Sequence, residues 1–161
     1  MALEARERDE LIARYAAGPE MLRAALAKVP AEALQWRPGP GRWSVHEIVC
    51  HCADSETNAT LRIRTLAVEK DALIVGYDEN AWAIELDYHA HPLSLALATV
   101  DAVRANTVPL LRRLPEKAWA RVGRHTQSGP YGAVDWLRSY AEHLEKHSGQ
   151  IGRNLEAWNA R

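Results

Sequence analysis

Apolar residues in this chain recur at helical rather than strand spacing. Leu11, Tyr15, Gly18, Leu22, Leu26 and Val29 step by four, three, four, four and three, which predicts a helix from Leu3 to Lys28 buried along one stripe. Gly18-Pro19 should interrupt or kink it, because proline lacks an N–H and crowds the preceding turn. Arg37 to Arg42 is too rich in proline and glycine for helix or sheet and reads as a loop. Ser44 and Glu47 then form a capping-box pattern that starts a second helix, running to about Lys70. Its stripe is Val45, Ile48, Cys52, Ala59, Ile63 and Leu66, and His51 lies in a polar margin with Ser55, Asn58 and Arg62.

Asp71 to His91 has no sustained period, and one short helix is expected around Asn80 to Leu86. A connection of that length in a compact protein is often functional. Pro92 suits the first turn of a third helix, Leu93 to Arg113, which carries Leu93, Leu97, Val100, Arg104, Thr107, Leu111 and Leu114 on one stripe and should kink at Pro109. Pro115 to Trp119 echoes the proline-led Pro30 to Leu34, Arg121 to Tyr131 reads as a loop, and a last helix from Gly132 to about Asn159 buries Leu137, Leu144, Ile151 and Leu155. Each half thus reads helix, proline-led turn, loop, histidine-bearing helix, which suggests an internal repeat. The fold expectation is all-α: one domain over residues 1–161, a four-helix bundle whose long connection between helices 2 and 3 makes them parallel, giving an up-down-down-up order.

Composition changes this picture little. The chain has 161 residues, is 47% hydrophobic and 25% charged, and carries a net charge of −1, so nothing points to nucleic acid or an anionic membrane as partner. No apolar run approaches the roughly 20 residues that span a bilayer. The charged N-terminus lacks an apolar signal core, and a cytoplasmic location is the default expectation. Cys50 and Cys52 point to different faces of a helix and are expected to be free and buried, which fits a reducing compartment.

The histidines carry the candidate chemistry. His143 and His147 are four apart on a helix, so their imidazoles leave one face about 6 Å apart at Cβ and can reach one ion. A metal site with an open position needs a third ligand, and His51 is the candidate. His46 is expected to face solvent, while His89, His91 and His125 fall in loops. Imidazole donors suit Zn²⁺, Ni²⁺ and Fe²⁺, with Zn²⁺ or Ni²⁺ the first expectation. Trp43, Ser55, Tyr77, Trp82 and Tyr140 are candidates for a small-molecule pocket. Glu47, Asp54 and Glu142 are unranked candidates to orient a histidine ring, and no residue is assigned as a catalytic base.

At Trp43-Ser44-Val45, Glu47, His51, Ala53-Asp54-Ser55-Glu56, Tyr77-Asp78-Glu79-Asn80-Ala81-Trp82, Gly129 and the Glu142-His143, His147, Gln150-Ile151 series, the chain resembles the DinB/YfiT-like superfamily, regarded as metalloenzymes. The resemblance spans nearly the whole chain. It departs at His51-Cys52, where the family often has His-Leu. It implies a four-helix bundle and a metal site of His51, His143 and His147. Some members are transferases that join the thiols bacillithiol or mycothiol to electrophiles, and one is a mycothiol-dependent isomerase. Three readings follow: an enzyme, such as a thiol S-transferase taking a low-molecular-weight thiol as cofactor; a non-catalytic metal- or small-molecule-binding stress protein; or a purely structural bundle. A homodimer is compatible with each.

Overall fold

The computed structural model describes residues 3–161. Four long helices carry the fold: α1 (Ala5–Leu26), α2 (Val45–Val68), α4 (Leu93–Arg113) and α6 (Ala133–Asn159). Pro19 and Pro109 lie inside α1 and α4, each of which is unbroken, so the expected interruption at Gly18-Pro19 does not occur. Gly18 has a packing reason instead. A Cβ there would come within 2.5 Å of Arg104 Nη1 and 3.0 Å of Leu144 Cβ, so glycine makes room for α4 and α6 to close on α1.

Cross-helix contacts fix the order. Glu7 meets Arg138 and Arg14 meets Glu145, so α1 and α6 are parallel. Trp43 O accepts from Asn154, and Ala59 O from Trp136, so α2 and α6 are antiparallel. Glu56 pairs with Arg104 and Thr60 with Thr107, so α2 and α4 are parallel. Arg104 reaches the Tyr15 carbonyl while Arg23 pairs with Asp101, so α1 and α4 are antiparallel. The helices therefore run up, down, down, up.

The parallel α2–α4 pair is possible because residues 71–91 return along α2. This strap holds β1 (Leu73–Ile74), α3 (Glu79–Glu85) and a 3₁₀ turn at Tyr88–Ala90. Its far end is pinned to α2: Tyr88 Oη donates to Asp54 at 2.5 Å, and His46 Nε2 pairs with the His91 carbonyl at 2.8 Å. His46, expected to face solvent, is buried by that contact. Ser44 caps α2 through the reciprocal capping box and also pairs with His89 Nε2 at 2.8 Å.

The all-α expectation needs one correction. Residues 121–131 are not an irregular loop. They form most of a hairpin of β2 (Val122–His125) and β3 (Gly129–Gly132), and β1 joins β2 in parallel with Leu73 opposite Arg124. Gly129 holds φ +80 where the hairpin turns, a conformation that favours glycine. The proline-led segments become a 3₁₀ turn at Ala31–Ala33 and the short α5 (Glu116–Trp119).

Buried apolar side chains fall in two clusters. One gathers Tyr15, Ile63, Leu66, Trp136 and Leu137; the other gathers Leu22, Ile48, Val100, Leu144 and Ile151. Between them along α2 and α4 sit Glu56 and Arg104, which are 0% and 1% exposed. None of the helices among the described residues is long and apolar enough to cross a membrane.

Candidate metal centre

The antiparallel contact of α2 with α6 sets the site. His51 enters from the second turn of α2, and His143 and His147 from successive turns of α6. One ring nitrogen from each lies within 4.8 Å of the others. Ring centroids are 5.6 Å apart for His51–His143, 4.8 Å for His51–His147 and 4.7 Å for His143–His147. His51 is buried, while the other two are half-buried, so the cluster borders solvent on its α6 side.

Protein groups on the rings decide which nitrogens remain available. His143 Nδ1 pairs with Glu56 Oε1 at 3.2 Å, and His147 Nδ1 pairs with Gln150 Oε1 at 2.9 Å. Each acceptor favours a proton on Nδ1 and leaves Nε2 as a lone-pair donor. Burial, then the neighbouring His147 and His143, lowers the His51 pKa to about 2. Burial and then His143 lower that of His147 to about 4. Both are therefore neutral at pH 7, the form that binds metal.

The donor set fits a divalent cation. Neutral imidazole nitrogens are ordinary donors to Zn²⁺ and similar ions, and three of them lie within 4.8 Å of one another here. His51 Nδ1 is also buried with no hydrogen-bond partner, an orphan that native interiors rarely leave.

The side chain that orients His143 is Glu56, not one of the three carboxylates expected from sequence. Glu47 is held by Arg37 and the Ser44 N–H, Asp54 by the Tyr88 hydroxyl, and Glu142 pairs with Lys146. Glu56 accepts from Arg104 Nη2 at 2.6 Å and from Tyr15 Oη at 3.3 Å. Burial alone would raise its pKa, but the His143 hydrogen bond and the Arg104 charge outweigh this and hold it below the usual carboxylate range. Arg104 is fixed in turn, donating to the Tyr15 and Tyr140 carbonyls, with its guanidinium 4.0 Å over the Tyr15 ring.

The pocket candidates divide into two tiers. Trp43 packs on His51 with ring centroids 4.7 Å apart, Tyr140 packs on His143 at 5.4 Å, and buried Ser55 lies one turn beyond His51 on α2. Tyr77 and Trp82 pack on each other in the strap, tilted, with ring centroids 4.4 Å apart. They connect to the site through Arg62, which lies over the Tyr77 ring and donates to Tyr140 Oη at 3.4 Å. A surface concavity of about 490 Å³ beside Lys70, Leu73 and Arg124 is far from this chemistry. Lys70 follows the C-terminal end of α2, more than 25 Å along the helix from His51 at about 1.5 Å per residue.

Comparison with known proteins identifies the family and the fold. A profile of the DinB superfamily matches residues 14–151. A protein of Bacillus licheniformis is 30% identical over 160 residues, covering 96% of this chain and 89% of its own. One of Oceanobacillus iheyensis is 29% identical over 133 residues, covering 83% and 77%. Both carry provisional names as metal-dependent hydrolases. Among solved structures, YfiT from Bacillus subtilis, described as having an unusual four-helix bundle topology, superposes with a TM-score of 0.90 at 24% identity, over 98% of this chain and 91% of its own. A second four-helix bundle protein matches with a TM-score of 0.65 at 20% identity, over 91% and 98%.

Proposed function

This chain belongs to the DinB superfamily, and from that premise we propose that it is a metal-dependent enzyme acting on small molecules, with His51, His143 and His147 holding one divalent cation, Zn²⁺ or Ni²⁺. The observation that carries the reading is the convergence of three imidazoles within 4.8 Å, two of them oriented through Nδ1 by Glu56 and Gln150. A cation bound there supplies Lewis acidity, polarising a substrate oxygen and lowering the pKa of a coordinating water or thiol. The chain itself orients the donors, shields His51 with Trp43 and flanks His143 with Tyr140.

Neither cysteine of the chain is the nucleophile. Cys50 and Cys52 are buried, and burial pushes the Cys50 thiol up to about 12 and Cys52 well above its usual value. Neither supplies thiolate at neutral pH. Water is the nucleophile in the hydrolase reading, which the relatives' names support. A low-molecular-weight thiol is the nucleophile in the S-transferase reading, which the sequence resemblance supports. A reducing, cytoplasmic setting suits both free cysteines.

The test is turnover by the metal-loaded protein on ester, amide and electrophile panels, with and without added thiol. Thiol-independent cleavage supports hydrolysis, and thiol-dependent loss of an electrophile supports transfer. A Cys50→Ala, Cys52→Ala variant should retain either activity. Bound metal without turnover across the panels would refute the enzyme reading and leave a binding protein.

A further inference from the structure

A second concavity has Trp43 in its lining. It is lined by Arg37, Arg42, Trp43 and Glu47 together with Ala83 and Ile84 of the strap, and its volume is about 280 Å³. Ligand pockets run roughly 300–1,000 Å³, so this one suits a single arm of a small molecule. Much of its lining is apolar, supplied by Trp43, Ala83 and Ile84.

Its charge is unbalanced in one direction. Glu47 is fully engaged, accepting Arg37 Nε at 2.9 Å, Arg37 Nη2, and the Ser44 N–H at 2.8 Å, so that carboxylate and Arg37 cancel. Arg42 is exposed and forms no ion pair among the described residues. One uncompensated guanidinium thus stands beside an apolar slot. Trp43 belongs to this pocket and to the metal centre at once, because its ring also packs 4.7 Å from that of His51. Its backbone is fixed, with the Trp43 carbonyl accepting Asn154 Nδ2 at 2.8 Å.

We infer that this pocket is an anchoring subsite for a small-molecule carboxylate with an apolar stem. Arg42 binds the carboxylate in a forked, charge-assisted contact. Trp43 and Ile84 cover the stem, and Trp43 divides the anchored end from the reactive end at the histidines. The inference rests on the small-molecule reading above and narrows it to acidic substrates or acidic thiols.

The test uses full-length protein stripped of metal with EDTA, so that failure of the metal reading leaves its outcome untouched. The probes are 3-phenylpropanoate and its uncharged amide, followed through the tryptophan indole N–H signals, with Trp43→Phe assigning the Trp43 resonance. The acid should shift that resonance saturably, and the amide should bind about tenfold more weakly, an exposed guanidinium contact being partly screened. Arg42→Gln should remove the preference for acid over amide without altering the melting temperature, and Arg42→Lys should keep part of it. Equal binding of acid and amide, unchanged acid binding in Arg42→Gln, or no response of Trp43 to millimolar acid would each overturn the inference.

Discussion

Replacing Arg104 with methionine isolates the ion pair beneath the metal centre. Methionine keeps much of the side-chain volume but removes the guanidinium that donates to Glu56 Oε1 and to the Tyr15 and Tyr140 carbonyls. Glu56 is 0% exposed, so the variant strands a carboxylate with only Tyr15 and His143 as partners. Stranding one member of a buried pair costs about 3–5 kcal/mol, far more than the intact pair need contribute to stability. At about 2–4 °C per kcal/mol for a chain of this size, the melting temperature should fall by roughly 6–20 °C. The assay is equilibrium urea unfolding at pH 7 in EDTA, which removes linkage to bound metal. Glu56→Gln with Arg104→Met should recover part of the loss, because the stranded charge is gone. The deficit should also shrink towards pH 4.5: without Arg104 the Glu56 pKa rises, and protonation relieves the buried charge as pH falls. A loss below about 1 kcal/mol, or a double variant no more stable than Arg104→Met, would refute this account of the pair.

Gly18→Ala should destabilise by about 1–3 kcal/mol through crowding of Arg104 and Leu144, although alanine favours helix by about 1 kcal/mol; a raised melting temperature would contradict the close approach. Ser44→Ala should cost about 1 kcal/mol by urea unfolding, from loss of the α2 cap, and an unchanged midpoint would contradict it. Metal-free protein should lose stability as pH drops below about 6.5. The unfolded chain then takes up protons that folded His51 and His147 refuse, so each removes up to about 1.4 kcal/mol per pH unit, down to about pH 4 for His147 and about pH 2 for His51. Equal unfolding free energies at pH 7.0 and 5.5 in EDTA would contradict those neutral imidazoles.

The long helices were legible because their apolar stripes repeat over several turns. The capping box at Ser44 and Glu47 and the boundaries Leu93–Arg113 follow from local residue chemistry. The sheet was not legible. Its strands have two to four residues, and Gly129-Pro130-Tyr131 reads as loop and Gly132 as a helix start until β2 lies beside them. The histidine cluster could be assembled from the four-residue spacing of His143 and His147 and the margin position of His51. Its supporting side chains were harder to see. Glu56 falls four residues after Cys52 and three before Ala59, in the middle of an apolar stripe, and Arg104 interrupts the stripe of α4 in the same way. Two opposite charges on buried stripes are a signal for pairing, but only the parallel packing of α2 on α4 shows that they meet. Gln150 stands three residues after His147, within helical reach, and its role depends on a rotamer that sequence does not specify.

The central claim is that His51, His143 and His147 jointly hold one metal ion. It is tested most directly by elemental analysis of untagged protein, purified without added metal and compared with a His51→Ala, His143→Ala, His147→Ala variant shown to be folded. One equivalent of a divalent transition metal in the native protein, and essentially none in the variant, is the expected result. Absence of metal even after incubation with Zn²⁺ or Ni²⁺, or equal metal in both proteins, would contradict the assignment.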